Sequence, residues 1–324
     1  MPVLAEGVKR RAHTARSARS DYNGGYGQFH FHREVLMFCP PGTTGAILCI
    51  GNFAIRAYGL LLMLGILLGA WLAAAEARRR GEKPDHVWDG LLVVFIMGLI
   101  GARLYHVFSS PEGAVGWSYY RENPIKILYI WEGGLAIYGA LIGGLAGFFL
   151  YAYRHRLAVW RWLDIVAPSI LVGQAIGRWG NFFNQELYGP PTTLPWGIPI
   201  ALEHRLPQHL TLPPETRFHP VFLYESLWNT IGFLILFYLN RRLGHRLREG
   251  DLFALYLIWY PVGRLWIESL RPDAWKIGHI AAAQIFSLIA LAAGLAILVY
   301  NRIRRQVPAA SGPAVEQPSG PPNP

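Results

Sequence analysis

Seven apolar runs, each about as long as a bilayer is thick, constrain this chain more than anything else in it. A helix rises 1.5 Å per residue, so crossing the ~30 Å hydrocarbon core takes roughly 20 residues. The runs lie at about 53–75, 89–108, 132–153, 163–180, 221–239, 251–269 and 280–300. The expectation is an all-α, polytopic integral membrane protein with seven transmembrane helices and a small external head segment. Composition agrees, since 52% of the 324 residues are hydrophobic and only 15% are charged. A net charge of +10 would invite nucleic acid as a partner. Here the arginines flank apolar runs, so they act as topology signals and no nucleic-acid partner is expected.

Basic clusters follow the first, third, fifth and seventh runs: Arg78-Arg79-Arg80, Arg154-His155-Arg156, Arg241-Arg242, and Arg302 with Arg304 and Arg305. The positive-inside rule places these four exits, and the C-terminus, on the cytoplasmic side of the plasma membrane. Residues 1–36 are basic and polar, with no apolar segment in signal-peptide format, and are expected to be a disordered extension, with Met37 a candidate start. The membrane domain then spans 37–307. Within it, the Pro-rich stretch 187–219 forms a cap over the outer end, and 308–324, rich in Pro, Ser and Gly, is a tail. Gly139, Gly143 and Gly147 recur every four residues, a spacing that lets helices approach closely. Cys39 and Cys49 have no partners at zinc-ligand spacing, so no metal site is expected.

Polar groups at membrane depth are expensive and mark sites. Arg178, Asn181 and Asn184 recur at helical spacing inside GRWGNFFNQELYG (177–189), with Glu186 and Gly189 following. Arg264, Glu268 and Arg271 fall at i, i+4 and i+7 and share a second face. Tyr58, preceded by Arg56, belongs to the outer half of the first run, and Arg103 lies inside the second. A guanidinium is a planar fork that grips phosphate in two bonds and keeps its charge when buried. Taken singly, each has a plainer explanation. Arg264 with Glu268 can be a tie between helices, Arg271 can snorkel, Tyr58 can belong to an interface belt, and Asn181 can cap a helix. The cluster of an arginine, two amides and a carboxylate within nine residues favours a phosphate-ester site. HExxH and GxSxG are absent, and the last run has no lysine for a Schiff base.

These residues resemble the signature of the prolipoprotein diacylglyceryl transferases. The resemblance runs from about Ala46 to Tyr300. It includes Arg56-Ala57-Tyr58-Gly59-Leu60, Trp131-Glu132-Gly133-Gly134-Leu135, His219-Pro220 with Leu223-Tyr224-Glu225, and RLWIESLRPD from Arg264 to Asp273. It implies transfer of the diacylglyceryl group of phosphatidylglycerol to the lipobox cysteine thiol of a prolipoprotein. The product is a thioether and glycerol phosphate leaves. It also implies an outward-facing site among membrane lipids and no cofactor.

By the same resemblance, Arg178 and Arg264 hold the phosphate. Asn181, Asn184 and Glu186 orient the head group and the arginine, Gly189 allows a tight turn, Tyr58 lines the pocket, Glu268 fixes Arg264, and Arg103 joins the substrate-binding set. One position departs from the family pattern: where many members carry a histidine that is a candidate general base, this chain has Tyr138. A phenol with a pKa near 10 is a poor base at neutral pH, whereas a thiol near 8.5 needs little help to ionise. Three options follow: Tyr138 is catalytic through a lowered pKa, another group such as His219 or Glu186 serves as base, or no dedicated base is needed, the last being preferred. The alternatives are a transporter that binds lipid or anion without chemistry, and an inactive lipid-binding homologue.

Overall fold

The computed structural model describes residues 46–50, 53–109, 116–272, 276–277 and 280–303. The expectations for residues 1–36, Met37, Cys39 and 308–324 lie outside these. The chain divides into two units, 1–54 and 55–324. Two short strands, β1 (Ala46–Ile50) and β2 (Phe53–Arg56), are followed by the helices of the second unit.

Among the described residues, seven helices of 18 residues or more correspond to the seven apolar runs. They are α1 (Ala57–Arg79), α2 (Asp85–Ser109), α4 (Ile137–Arg154), α5 (Val159–Asn184), α6 (Val221–Leu243), α7 (Asp251–Ser269) and α8 (Ala282–Ile303), with a six-residue α3 (Trp117–Glu122) between α2 and α4. The boundaries move by up to five residues from the expected ones. The first helix starts at Ala57, four residues late, because Phe53–Arg56 is extended. Residues 132–136 precede α4 instead of opening it, since Gly133 and Gly134 adopt φ of 92° and 75°, which interrupt a helix.

Among the described residues, four segments are long and apolar enough to cross a membrane by length and composition: α1, α2, 221–246 and α8. The other three are less apolar. Arg178 and Asn181 are in α5, Arg264 and Glu268 are in α7, and α4 is diluted by glycine and tyrosine. Large apolar side chains such as Met63, Phe95, Ile142 and Ile289 point outward, as expected for helix faces that meet lipid.

Helix α5 is central and packs on α1, α6 and α7, while α2 pairs with α4 and α7 with α8. The α2–α4 contact is the glycine stripe. A Cβ on Gly101 or Gly139 would collide with the carbonyl of the other, and one on Gly143 would strike Met97 O. Helices α6 and α7 lock through a reciprocal pair of tryptophans. The Trp228 and Trp259 rings stack 4.5 Å apart, and each indole donates to the other's backbone carbonyl at 3.0 Å. Each ring occupies the space left by a glycine on the facing helix, Trp228 over Gly263 and Trp259 over Gly232.

At one end of these helices, buried Glu76 accepts from Arg79, Arg80 and Asn240, joining α1 to α6. Buried Asp164 of α5 accepts from the backbone amides of Gly250 and Phe253, capping the first turn of α7 from a neighbouring helix. At the other end, residues 187–219 build a head with its own small core of Tyr188, Ile200 and Phe218. Its strands β3 (Ile198–Pro199) and β4 (Arg217–Phe218) pair antiparallel with Ile198 opposite Phe218. Buried Arg205 donates to the carbonyls of Ile200, Leu212, Pro213 and Pro214, so one cation satisfies a turn that has no ladder of its own. A further strand pair, β5 (Lys276–Ile277) with β6 (Ile280–Ala281), precedes α8.

Candidate functional site

Most of the expected site residues lie at the head end of the central helices. Helix α5 stops because Gln185 takes a left-handed conformation, and the Glu186 amide folds back to Asn181 O at 3.0 Å. That reversal brings the Glu186 carboxylate under the last turn. There Asn181 Nδ2 donates to it at 2.9 Å and Asn184 Nδ2 at 3.1 Å. The Gln185 side chain accepts from the Ala201 amide, tying the helix end to the head. Tyr58, at the start of α1, lays its ring on Gly180, where any side chain would collide with it.

The hub of the site is Glu225, on the first turns of α6. Its carboxylate is 3% exposed and lies between two guanidiniums, Arg264 Nη1 at 2.8 Å from Oε1 and Arg178 Nη2 at 2.7 Å from Oε2. The Arg264 contact is a hydrogen bond. The Arg178 contact is an ion pair off the hydrogen-bond axis, which leaves Oε2 without a donor. Arg264 also forms a close pair with Glu268, one turn along α7, and Arg271 Nη1 lies 3.5 Å from the same carboxylate. The result is an alternating row, Arg178, Glu225, Arg264, Glu268, Arg271, drawn from three helices and the turn that follows the last of them. Three cations against two anions leave it net positive at the end of a largely apolar bundle.

The i, i+4 relation of Arg264 and Glu268 is as expected, but Arg271 lies beyond the end of α7 at Ser269 and reaches Glu268 from the following turn. Tyr138, at the start of α4, is within electrostatic range of Arg264, Glu268 and Arg271 and packs on Phe286 of α8. The departure from the family pattern is therefore next to the charged row.

Two of the expected residues make their contacts outside this row. Arg103 is not part of the row. Its buried guanidinium donates to the carbonyls of Lys126, Ile127, Gly133 and Gly134, with Tyr129 O at 3.5 Å, and stacks on Tyr120. It therefore organises the segment between α3 and α4, and a Cβ on Gly134 would collide with it. Gly189 does not turn with positive φ. It bonds to His219 O at 2.9 Å, and its missing side chain makes room for His219 and Val221.

Sequence reasoning did not single out Glu225 as a site residue, although a carboxylate inside an apolar run is by itself a usable signal. Nor did it single out Tyr224, whose hydroxyl meets His219 Nδ1 and accepts from Trp196, pinning the head to α6. One turn below Glu225, Asn229 is 1% exposed and its Nδ2 has no acceptor. No cluster of His, Cys, Asp or Glu able to hold a metal occurs among the described residues.

Residues 46–300 match the family described as "Prolipoprotein diacylglyceryl transferase". The chain is 43% identical over 285 residues to a Synechococcus elongatus protein named "Phosphatidylglycerol--prolipoprotein diacylglyceryl transferase", covering 86% of this chain and 94% of that one. Proteins of the same name from Chloroflexus aggregans and Halalkalibacterium halodurans are each 42% identical. The first alignment covers 81% of this chain and 88% of the relative, the second 79% and 85%.

Proposed function

This chain belongs to the prolipoprotein diacylglyceryl transferase family, and on that premise we propose that it moves the diacylglyceryl group of phosphatidylglycerol onto the lipobox cysteine of prolipoproteins. The observation that carries this reading is the Arg178–Glu225–Arg264–Glu268–Arg271 row, a net positive, largely buried device beside the Asn181–Glu186 turn. In the reaction the cysteine sulfur attacks the glyceryl carbon that bears the phosphodiester. The S–C bond forms, the C–O bond to phosphate breaks, and glycerol phosphate leaves with the electron pair. The thiol proton ends on the released phosphate or on water.

The phosphate passes from one negative charge in the diester to nearly two in the monoester. A cationic site therefore binds the transition state more tightly than the substrate, which is the condition for acceleration. Arg178 and Arg264 take that charge, held in register by Glu225 and Glu268. Asn181, Asn184 and Glu186 orient the head group, and Tyr58 lines the glyceryl side. Tyr138 lies beside the row as a pocket residue, and the thiol needs no dedicated base.

We further read all seven long helices as membrane-spanning, with α5 and α7 largely screened from lipid by their neighbours and α4 meeting lipid along one face. The head end faces outward, and the end with Glu76, Arg79 and Arg80 faces the cytoplasm, as do the basic exits. The experiment is turnover with purified protein, phosphatidylglycerol and a lipobox peptide, following glycerol phosphate release and peptide mass. Wild type is expected to add a diacylglyceryl mass on cysteine. Arg178→Ala and Asn181→Ala are expected to insert but not transfer, and full activity in either would overturn the site assignment.

A further inference from the structure

At the end of the bundle remote from the charged row, the C-terminal turns of α1 and α6, the first turns of α5 and the segment leading into α7 line a half-open cavity of about 390 Å³. Its size falls in the ~300–1,000 Å³ range of small-molecule sites. Asp164 on its wall and Arg178 in the row are on the same helix, fourteen positions apart, so about 21 Å of helix separates the two places. The wall carries Arg79, Arg80, Arg241 and Arg248 against the carboxylates Asp164 and Glu249.

The charges in this wall are unevenly satisfied. Arg79 and Arg80 are held by Glu76 and Asn240. Both carboxylates are already engaged, Asp164 by the backbone of α7 and by Arg80 at 4.0 Å, and Glu249 by Arg161. Arg241 reaches only 4.0 Å from Glu76 and rests over the Phe237 ring. The half-buried Arg248 guanidinium has no hydrogen-bond or ion-pair partner among the described residues, although its backbone amide bonds Asp251. A helix-end cavity with two under-used guanidiniums and no spare anion in its wall fits a bound anion. Two guanidinium forks lining one cavity suit the several oxygens of a phosphate.

We propose that this cavity is a second phosphate-binding site, formed by Arg241 of α6 and Arg248 ahead of α7, independent of the transferase reading. The phosphate belongs either to an anionic lipid head group at the adjacent membrane surface or to a free phosphate in solution. Neither Arg241 nor Arg248 belongs to the row that holds Arg178 and Arg264.

The test uses the full chain in detergent, titrated separately with short-chain phosphatidylglycerol, short-chain phosphatidylcholine and inorganic phosphate. Wild type is expected to bind phosphatidylglycerol in two classes. Arg178→Ala should lose one class. Arg241→Gln with Arg248→Gln should weaken the other by about tenfold or more, the scale of losing charged hydrogen bonds. Competition for that second class by inorganic phosphate identifies a site filled from solution. Competition by phosphatidylglycerol alone identifies a head-group site. Retention of wild-type affinity for both anionic probes in the double variant overturns the proposal. If the double variant does not fold, Arg248→Gln alone decides, because that side chain ties nothing together: several-fold weaker binding supports the site and unchanged binding overturns it.

Discussion

Replacing Glu225 with glutamine tests the organisation of the site most directly. The carboxylate is 3% exposed and touches two guanidiniums at 2.7 and 2.8 Å. Two unit charges about 4 Å apart at an effective dielectric near 20 attract by about 4 kcal/mol. Part of this is offset because the glutamine avoids the desolvation of a buried anion, but Arg264 and Arg178 then face each other with no anion between them. Breaking one partner out of a buried pair typically costs about 3–5 kcal/mol. We expect Glu225→Gln to lower the thermal unfolding midpoint in detergent, and to cut transfer by about 10²–10³-fold as the two arginines lose register. Because a bound phosphate supplies the missing negative charge, phosphatidylglycerol should restore part of the midpoint in the variant while phosphatidylcholine does not. Glu225→Asp, one methylene shorter, should keep one contact and fall between. An unchanged midpoint and unchanged turnover in Glu225→Gln would refute the view that this carboxylate holds the row together.

Three further outcomes are expected. Gly263→Ala places a methyl group against the Trp228 indole and should destabilise the α6–α7 pair by about 1–3 kcal/mol, read as a lower unfolding midpoint with a red-shifted tryptophan emission. Arg103→Ala deprives at least four carbonyls of their donor and should open 123–136 to limited proteolysis, with cleavage there and not in the head as the decisive pattern. Burial, followed by the nearby Arg205 charge, holds the His209 pKa below its ordinary 6.5. Folding therefore favours the neutral ring. Its contribution is complete above the unfolded pKa and is lost as pH falls through the lower folded value. Amide exchange across 198–218, corrected for intrinsic rates, should accelerate between pH 7 and 5, and His209→Phe should remove that acceleration.

What the sequence by itself determined is whatever depends on neighbours along one helix. Seven apolar runs became seven long helices with ends moved by a few residues, because hydropathy and length act locally. Arg264 and Glu268 meet, and Asn181 and Asn184 share Glu186, because 3.6-residue periodicity and a helix stop bring them together without reference to the rest of the chain. The glycine stripe in α4 announced a close contact, although not that α2 would make it.

Only the tertiary structure decided which helices face one another, and the function of each charge followed from that. Arg103 and Arg178 look alike in sequence, each an arginine inside an apolar run. One became a clasp for loop carbonyls because the Gly133-Gly134 turn folds over it, and the other joined a row of charges because α5 lies beside α6 and α7. Glu225 was hard to single out for the same reason. Its role exists only where three helices converge, and the pairing of opposite charges 39 and 47 residues apart is set by packing, not by local spacing.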